Sequence, residues 1–420
     1  MKKEGKPVNE TLQALQKAME ESKARPANGK PVVDFSNTEN AFVDKTDEEL
    51  KKALWLFKMM NKRWLVEIGS KVGLAAIRMR LPFVDSIVKK TIFEQFCGGT
   101  TLLESQNTIE RLYRHHVLTI LDYGAEGKET EEDYNLTMNE TIRALEFAAT
   151  HESVPMVSSK ITGLAPNALL EKIQQSEPLS DEDEYEFENL KKRIDSICHT
   201  ASKRGMSISF DAEESWIQDT IDFLVNMMME RYNTERAVVY NTYQLYRHDR
   251  LKYLIDSYNE ARNKGYVLGA KLVRGAYMDK ERDRAARMGY PSPIQTNKAA
   301  TDDAYNTAIR FCVDHYEHIA SVNATHNAES CLLEARLIEE RKLPKDHPHL
   351  NFSQLYGMSD QITFNLAEAG YNVAKYVPYG AVKEVVPYLI RRAQENSSVT
   401  GDMSRELDLI SREVKRRGLS

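Results

Sequence analysis

The chain has 420 residues, 41% hydrophobic and 29% charged, a mixture that builds a sizeable core and excludes a largely disordered, collagen-like or low-complexity chain. At roughly 150 residues per domain, this length allows about three domains, or one barrel-sized domain with an extension. With 57 basic and 63 acidic residues the net charge is -6, so no global positive field exists to hold a polyanion, and nucleic acid is not expected as a partner. Residues 9–25 carry Leu12, Leu15 and Met19 at helical spacing behind Asn9 as a cap, and the pattern breaks between Pro26 and Pro31. Residues 1–34 therefore read as a helix and linker, with no role assigned. The start has no apolar stretch of a secretory signal, while a removed transit peptide or an engineered start stays open. Glu67, Lys71, Arg78 and Arg80 interrupt the apolar residues between Trp64 and Val84, so no membrane span is predicted.

Residues 35–114 read as an all-helical arm, with Leu54, Leu56, Phe57 and Met60 on one apolar face and Ile92, Phe93 and Phe96 on another. After Arg114 the texture switches to short apolar or β-branched runs, each followed by a longer helical pattern. The predicted strands are 117–122, 154–162, 207–211, 237–243, 267–273, 319–325, 350–355 and 372–377. Each intervening segment is long enough for a crossover helix, as parallel strands require. Residues 115–398 thus read as a (βα)8 TIM-type barrel, an α/β fold, and 399–420 as a C-terminal helix. The acidic run that follows Ser180 is read as a capped helix start. Cys97, Cys198, Cys312 and Cys331 form no ligand spacing, so buried thiols are expected and no metal site.

In such a barrel the chemistry gathers at the C-terminal ends of the strands. Lys160, Asp211, Lys271, Arg274, His326 and Asn327 stand there, more ionisable groups than a solvated rim explains. Past the eighth strand, Tyr376 is followed by Tyr388, Arg391, Arg392 and Glu395 in one helical segment. Helical spacing puts Tyr388 over both arginines and Glu395 within reach of them. Two adjacent guanidiniums suit an anion held between them, and an exposed Arg–Arg pair answered by Glu395 is the alternative.

Together these segments resemble the proline dehydrogenase family. The resemblance spans roughly Phe42 to Arg417 and is strongest in Lys271-Leu-Val-Arg-Gly-Ala-Tyr277, Thr325-His-Asn327, Tyr376-Val-Pro-Tyr-Gly380 and Tyr388-Leu-Ile-Arg-Arg-Ala-Gln-Glu-Asn396. The wording is closer to the stand-alone eukaryotic-type branch than to the bifunctional bacterial proteins. Many bacterial members have Arg where Lys271 stands and Trp where Met278 stands. The resemblance implies a (βα)8 barrel with added N-terminal helices, bound FAD, and oxidation of L-proline to Δ1-pyrroline-5-carboxylate with electrons passed to a quinone. It implies Lys271, Val273, Gly275, Ala276 and Tyr277 around the isoalloxazine, with Asn241 or Gln244 nearby. It places Thr296, Lys298, His326 and Asn327 along the ribityl-phosphate and adenosine part, and Glu395 among the cofactor contacts. For the substrate it implies a carboxylate clamp of Arg391, Arg392 and Lys160, the active-site aspartate Asp211, and a ring pocket of Leu355, Tyr376 and Tyr388. Glu94 matches a gate residue that pairs with the first arginine. In relatives that resemble hydroxyproline dehydrogenase, a small serine tends to stand at the position of Tyr376.

No GxGxxG or P-loop is present, so side chains must hold the cofactor phosphates. Hydride removal needs an acceptor that no side chain supplies. The clamp of cations also disfavours a protonated amine nearby, which helps present the neutral amine. Three rivals remain: a hydroxyproline dehydrogenase, a Schiff-base aldolase using Lys160 or Lys271 with Asp211 as proton shuttle, and a non-catalytic barrel that binds a metabolite anion. The implied compartment is the mitochondrial matrix side in a eukaryote, and the cytoplasm or the inner-membrane face in a bacterium. The basic stretch from Arg412 to Arg417 is read as a helix end, with contact to an anionic membrane surface as the alternative. The sequence does not set the oligomeric state.

Overall fold

The computed structural model describes residues 32–62, 64, 66, 86, 88–124, 128–397 and 402–419, with the backbone alone at 394–397 and 402–404. The helix expected over 9–25 and most of the apolar stretch after Trp64 lie outside the described residues. Eight strands, β1 (Leu118–Tyr123), β2 (Met156–Ser159), β3 (Ser207–Phe210), β4 (Val239–Gln244), β5 (Leu268–Val273), β6 (Ile319–Ala324), β7 (Leu350–Leu355) and β8 (Val373–Tyr379), follow one another in a closed barrel. Their register is parallel, with Ser158 opposite Ser209, Thr242 opposite Lys271 and Ile120 opposite Tyr376.

The C-terminal ends of two strands differ from expectation by more than one residue. β2 stops at Ser159 because Lys160 leads into a 3-10 turn, Ile161–Gly163, whose Thr162 donates its N–H and hydroxyl to the Glu213 carboxylate. β8 runs on through Pro378 and Tyr379, and the Pro378 carbonyl accepts the Gly98 N–H. The turn comes at Gly380, whose φ of 141° few residues with a Cβ adopt.

Contacts divide the chain into two compact units. In the first, made of Lys128–Ala149 and Met156–Phe352, β2 to β6 alternate with α-helices. Three helices here adjoin the candidate site residues: α1 (Met278–Met288), α2 (Lys298–Asp314) and α3 (Ala328–Glu340). No expectation covered α1, an extra helix between β5 and α2. Its buried Glu281 accepts both the N–H and the hydroxyl of Ser215. The acidic run folds as expected: Ser180 and Asp183 form a reciprocal cap at the start of the helix Asp181–Lys203.

A buried acid in α3 sets a pH dependence. Burial pushes the Glu334 carboxyl up to about 8, and its Oε2 has no hydrogen-bond partner. The folded state therefore keeps a proton that the unfolded chain releases near pH 4.5. Between those values the folded state binds more protons, so stability falls as pH rises, by up to ~1.4 kcal/mol per unit. Thermal melts at pH 5.5 and 8.5 should show wild type losing stability on the alkaline side and Glu334→Gln losing less. Equal losses would place Glu334 outside this effect.

The second unit, Val33–Gly127, Thr150–Pro155 and Ser353–Ser420, holds β1, β8 and the helical arm. Its core joins Leu50, Leu56, Phe57 and Met60 of the helix Asp47–Met60 to Phe93, Phe96, Val385, Tyr388, Leu389, Leu409, Ile410 and Val414. The two apolar faces read from the sequence thus make the seat for α4 (Val382–Ser397), the arginine-bearing helix, and α5 (Asp402–Arg416). Beside this core lies a buried charge network. Lys375 of β8, 1% exposed, bonds Asp360 at 2.7 Å, and Lys45 lies 3.9 Å from the same carboxylate. Arg111 bridges Glu49 and the Tyr356 hydroxyl, both at 2.6 Å.

Candidate active site

In the first unit, strand alternation points Ser158 and Lys160 the same way at the end of β2, as it does Ser209 and Asp211 at the end of β3. The Asp211 carboxylate collects both lysines. Lys160 Nζ lies 3.2 Å from Oδ2, and Lys271 Nζ donates to Oδ1. Beneath them the Ser209 hydroxyl donates to Ser158 at 3.0 Å, and Ser158 donates to Asp211 Oδ1 at 2.9 Å. Both serines are fully buried, where a barrel interior ordinarily carries bulky branched side chains. The hydroxyls fix the rotation of the carboxylate, so that one oxygen faces each amine. Three residues from the sequence list, Lys160, Asp211 and Lys271, are thereby brought together.

Asn241 and Gln244 face opposite sides of β4. Asn241 faces out of the barrel, where its amide donates to Asp222 at 2.9 Å and its oxygen accepts the Thr242 N–H. Gln244 has the opposite parity, and its amide donates to the Glu213 carbonyl at 2.7 Å. Past β5, Gly275 and Ala276 are exposed and Val273 and Tyr277 partly so. Gly275 has φ 137°, and a Cβ there would stand 2.4 Å from the Tyr246 ring, so glycine alone fits the turn. Thr296 and Lys298 are exposed at the start of α2, with Lys298 paired to Asp302 at 2.6 Å. His326 is partly buried, and the Asn327 side-chain oxygen caps α3 by accepting the Ser330 N–H.

Sequence reasoning passed over Glu213. It is buried, and burial pushes its carboxyl up to about 7 against the two hydrogen bonds from Thr162. The acidic pair that follows Ala212 was its one sequence signal.

In the second unit, Tyr376 and Tyr388 are buried and Leu355 is partly so. Arg392 is 6% exposed, and its guanidinium lies 5.2 Å from the centre of the Tyr388 ring. Arg391, on the neighbouring position of α4, is partly buried. Glu395 is on the same helix, and its side chain lies outside the described residues. The first turn of α4 is tied to β1 by the Tyr123 hydroxyl, which donates to Glu384 at 3.1 Å. Pro387, which carries no N–H, then interrupts the helix ladder just before Tyr388. Glu94 pairs with Lys52, both about half exposed, which gives the expected gate carboxylate a cationic partner in the arm.

The sequence pattern of one family, proline dehydrogenase, matches residues 105–405. The chain belongs to the proline dehydrogenase family. It is 30% identical to mitochondrial proline dehydrogenase 1 of Dictyostelium discoideum over 91% of this chain and 74% of that one. It is also 30% identical to hydroxyproline dehydrogenase of Xenopus laevis, over 94% of this chain and 92% of that one. The fold matches proline utilization A from Bdellovibrio bacteriovorus, inactivated by N-propargylglycine, with a TM-score of 0.67 and 18% identity. That alignment covers 94% of this chain and 42% of the longer protein. The closed barrel is therefore the proline dehydrogenase fold. Among the described residues no helix is long and apolar enough to cross a membrane.

Proposed function

We propose that the chain oxidises L-proline to Δ1-pyrroline-5-carboxylate, with FAD as the bound acceptor and a quinone as the next one. The observation that carries this reading is the cluster of Lys160, Asp211 and Lys271, two ammonium groups around one carboxylate at the mouth of a barrel of this family. The donor set fits a flavin dinucleotide. Lys271 and Gln244 are inward-facing donors suited to ring acceptors, the exposed backbone at Gly275 and Ala276 leaves room for a flat ring, and Lys298 is a cation for the phosphates. When bound, the flavin supplies the two-electron acceptor that no side chain can. In the second unit Arg391 and Arg392 orient the proline carboxylate, and Leu355, Tyr376 and Tyr388 enclose the ring and exclude water. A Schiff-base aldolase is disfavoured, because both candidate amines are tied to Asp211 and a nucleophilic lysine would have to give that partner up. Relatives named mitochondrial support the matrix side as the compartment if the source is eukaryotic.

The visible spectrum of the purified protein before and after anaerobic L-proline is the test. Flavin absorption that bleaches supports the reading, and a colourless protein that takes up no FAD overturns it. Arg391→Met and Arg392→Met should each raise the KM for proline roughly tenfold to a hundredfold with flavin retained, since each loses a charge-assisted bond of ~1.5–3 kcal/mol. Wild-type KM in both variants would return the pair to a role in packing.

A further inference from the structure

Arg274 stands among the ionisable strand ends, and neither the carboxylate clamp nor the flavin ring uses it. Its guanidinium has four partners, Asp302, Thr325, Ser330 and Tyr305. Nε and Nη2 donate to Asp302 Oδ1 at 2.9 and 2.7 Å. Nη1 donates to the Thr325 hydroxyl and Nη2 to the Ser330 hydroxyl, and the plane lies 4.3 Å from the centre of the Tyr305 ring. One side chain thereby joins the end of β5 to the N-terminal part of α2, to the β6–α3 connection and to the start of α3. Those segments carry Thr296 and Lys298 on one side and His326 and Asn327 on the other. The Thr325 hydroxyl also accepts the Asn327 N–H at 3.1 Å, so the fork reaches the His326–Asn327 turn through a single intermediate.

The charges have an order as well. Asp302 sits between two cations, Arg274 on Oδ1 and Lys298 on Oδ2. Arg274 is partly buried and held at four places, whereas Lys298 is 60% exposed in an i,i+4 surface pair, the weak kind. With Arg274 neutralising Asp302, Lys298 is free to swing to an incoming phosphate at little cost. Without Arg274 the full carboxylate charge would grip Lys298 and repel the phosphate.

We propose that Arg274 is a positioning residue for the phosphate side of the cofactor site: it neutralises Asp302, which releases Lys298 to the phosphates, and it braces the turn that carries His326 and Asn327. This rests on the flavin reading given above. The test is FAD affinity, measured by fluorescence titration of flavin-depleted protein, for wild type, Arg274→Gln, Arg274→Lys and Arg274→Gln combined with Asp302→Asn. Arg274→Gln should weaken binding about tenfold or more, on the scale of charge-assisted contacts. Adding Asp302→Asn should restore most of that loss, because the acid that captures Lys298 is gone, and a merely structural role would show no such rescue. Arg274→Lys, which keeps the charge and loses the fork, should fall between and serves if Arg274→Gln does not fold. Wild-type affinity in Arg274→Gln or Arg274→Lys, or a double variant no better than the single one, overturns the proposal. A wild-type protein that binds no FAD overturns the flavin reading instead.

Discussion

Asp211→Ala should be the most damaging single change in the barrel. It leaves the Lys160 and Lys271 ammonium groups, 10% and 5% exposed, facing each other without their shared carboxylate. Removing one partner of a buried ion pair costs roughly 3–5 kcal/mol, and at about 2.1 cal/mol/K of unfolding entropy per residue that lowers the Tm of a chain this long by roughly 3–6 °C. Activity should fall by about two powers of ten or more, since both amines lose the groups that aim them. Asp211→Asn, which keeps the shape and the Ser158 bond but loses the charge, should sit between. Thermal melts and kcat/KM for proline on the same preparations decide it. A variant that melts with wild type would mean that the lysines find other partners, and that Asp211 is not what holds them.

That cluster was legible in the sequence as chemistry and not as geometry. Lys160, Asp211 and Lys271 could be singled out because an ionisable residue ending an apolar run is unusual, and the barrel rule sends every strand end to one mouth. The eight strands were legible for a related reason: apolar runs bounded by polar or small residues recur at helix-length intervals, so even where an end shifted by up to three residues the order held. Facing was not legible. A parallel barrel strand is buried on both sides, so the alternation that would separate Asn241 from Gln244 leaves no mark in the pattern, and only the Asp222 partner of Asn241 settles it. Lys375 was hidden in the same way, as a lysine inside an apolar run whose partner, Asp360, follows the previous strand. Glu334 was hidden by its helix, where a carboxylate at any position reads as solvent-facing until the packing of that face is known.

Substrate preference gives the other large expected effect. The chain covers hydroxyproline dehydrogenase of Xenopus laevis nearly end to end, so family membership alone does not choose between the two imino acids. Tyr376 does. It is 9% exposed on β8, of the same parity as Ala374 and opposite to that of Lys375, which is spent on Asp360 outside the barrel. Placed in the ring pocket as proposed, its phenol would crowd a hydroxyl on C4, and the resemblance puts a serine at this position where hydroxyproline is the substrate. A buried clash or an unpaired hydroxyl costs ~1–3 kcal/mol, so proline should be preferred over trans-4-hydroxyproline by about one to two powers of ten in kcat/KM. Tyr376→Ser should shrink that ratio from both sides: proline loses the ring it packs against, and the hydroxyl gains room and a partner. Both substrates are measured with both proteins. Equal rates in wild type, or a ratio that the substitution leaves unchanged, would show that Tyr376 does not line the C4 side of the pocket, and the choice of proline over hydroxyproline would have to rest on other residues.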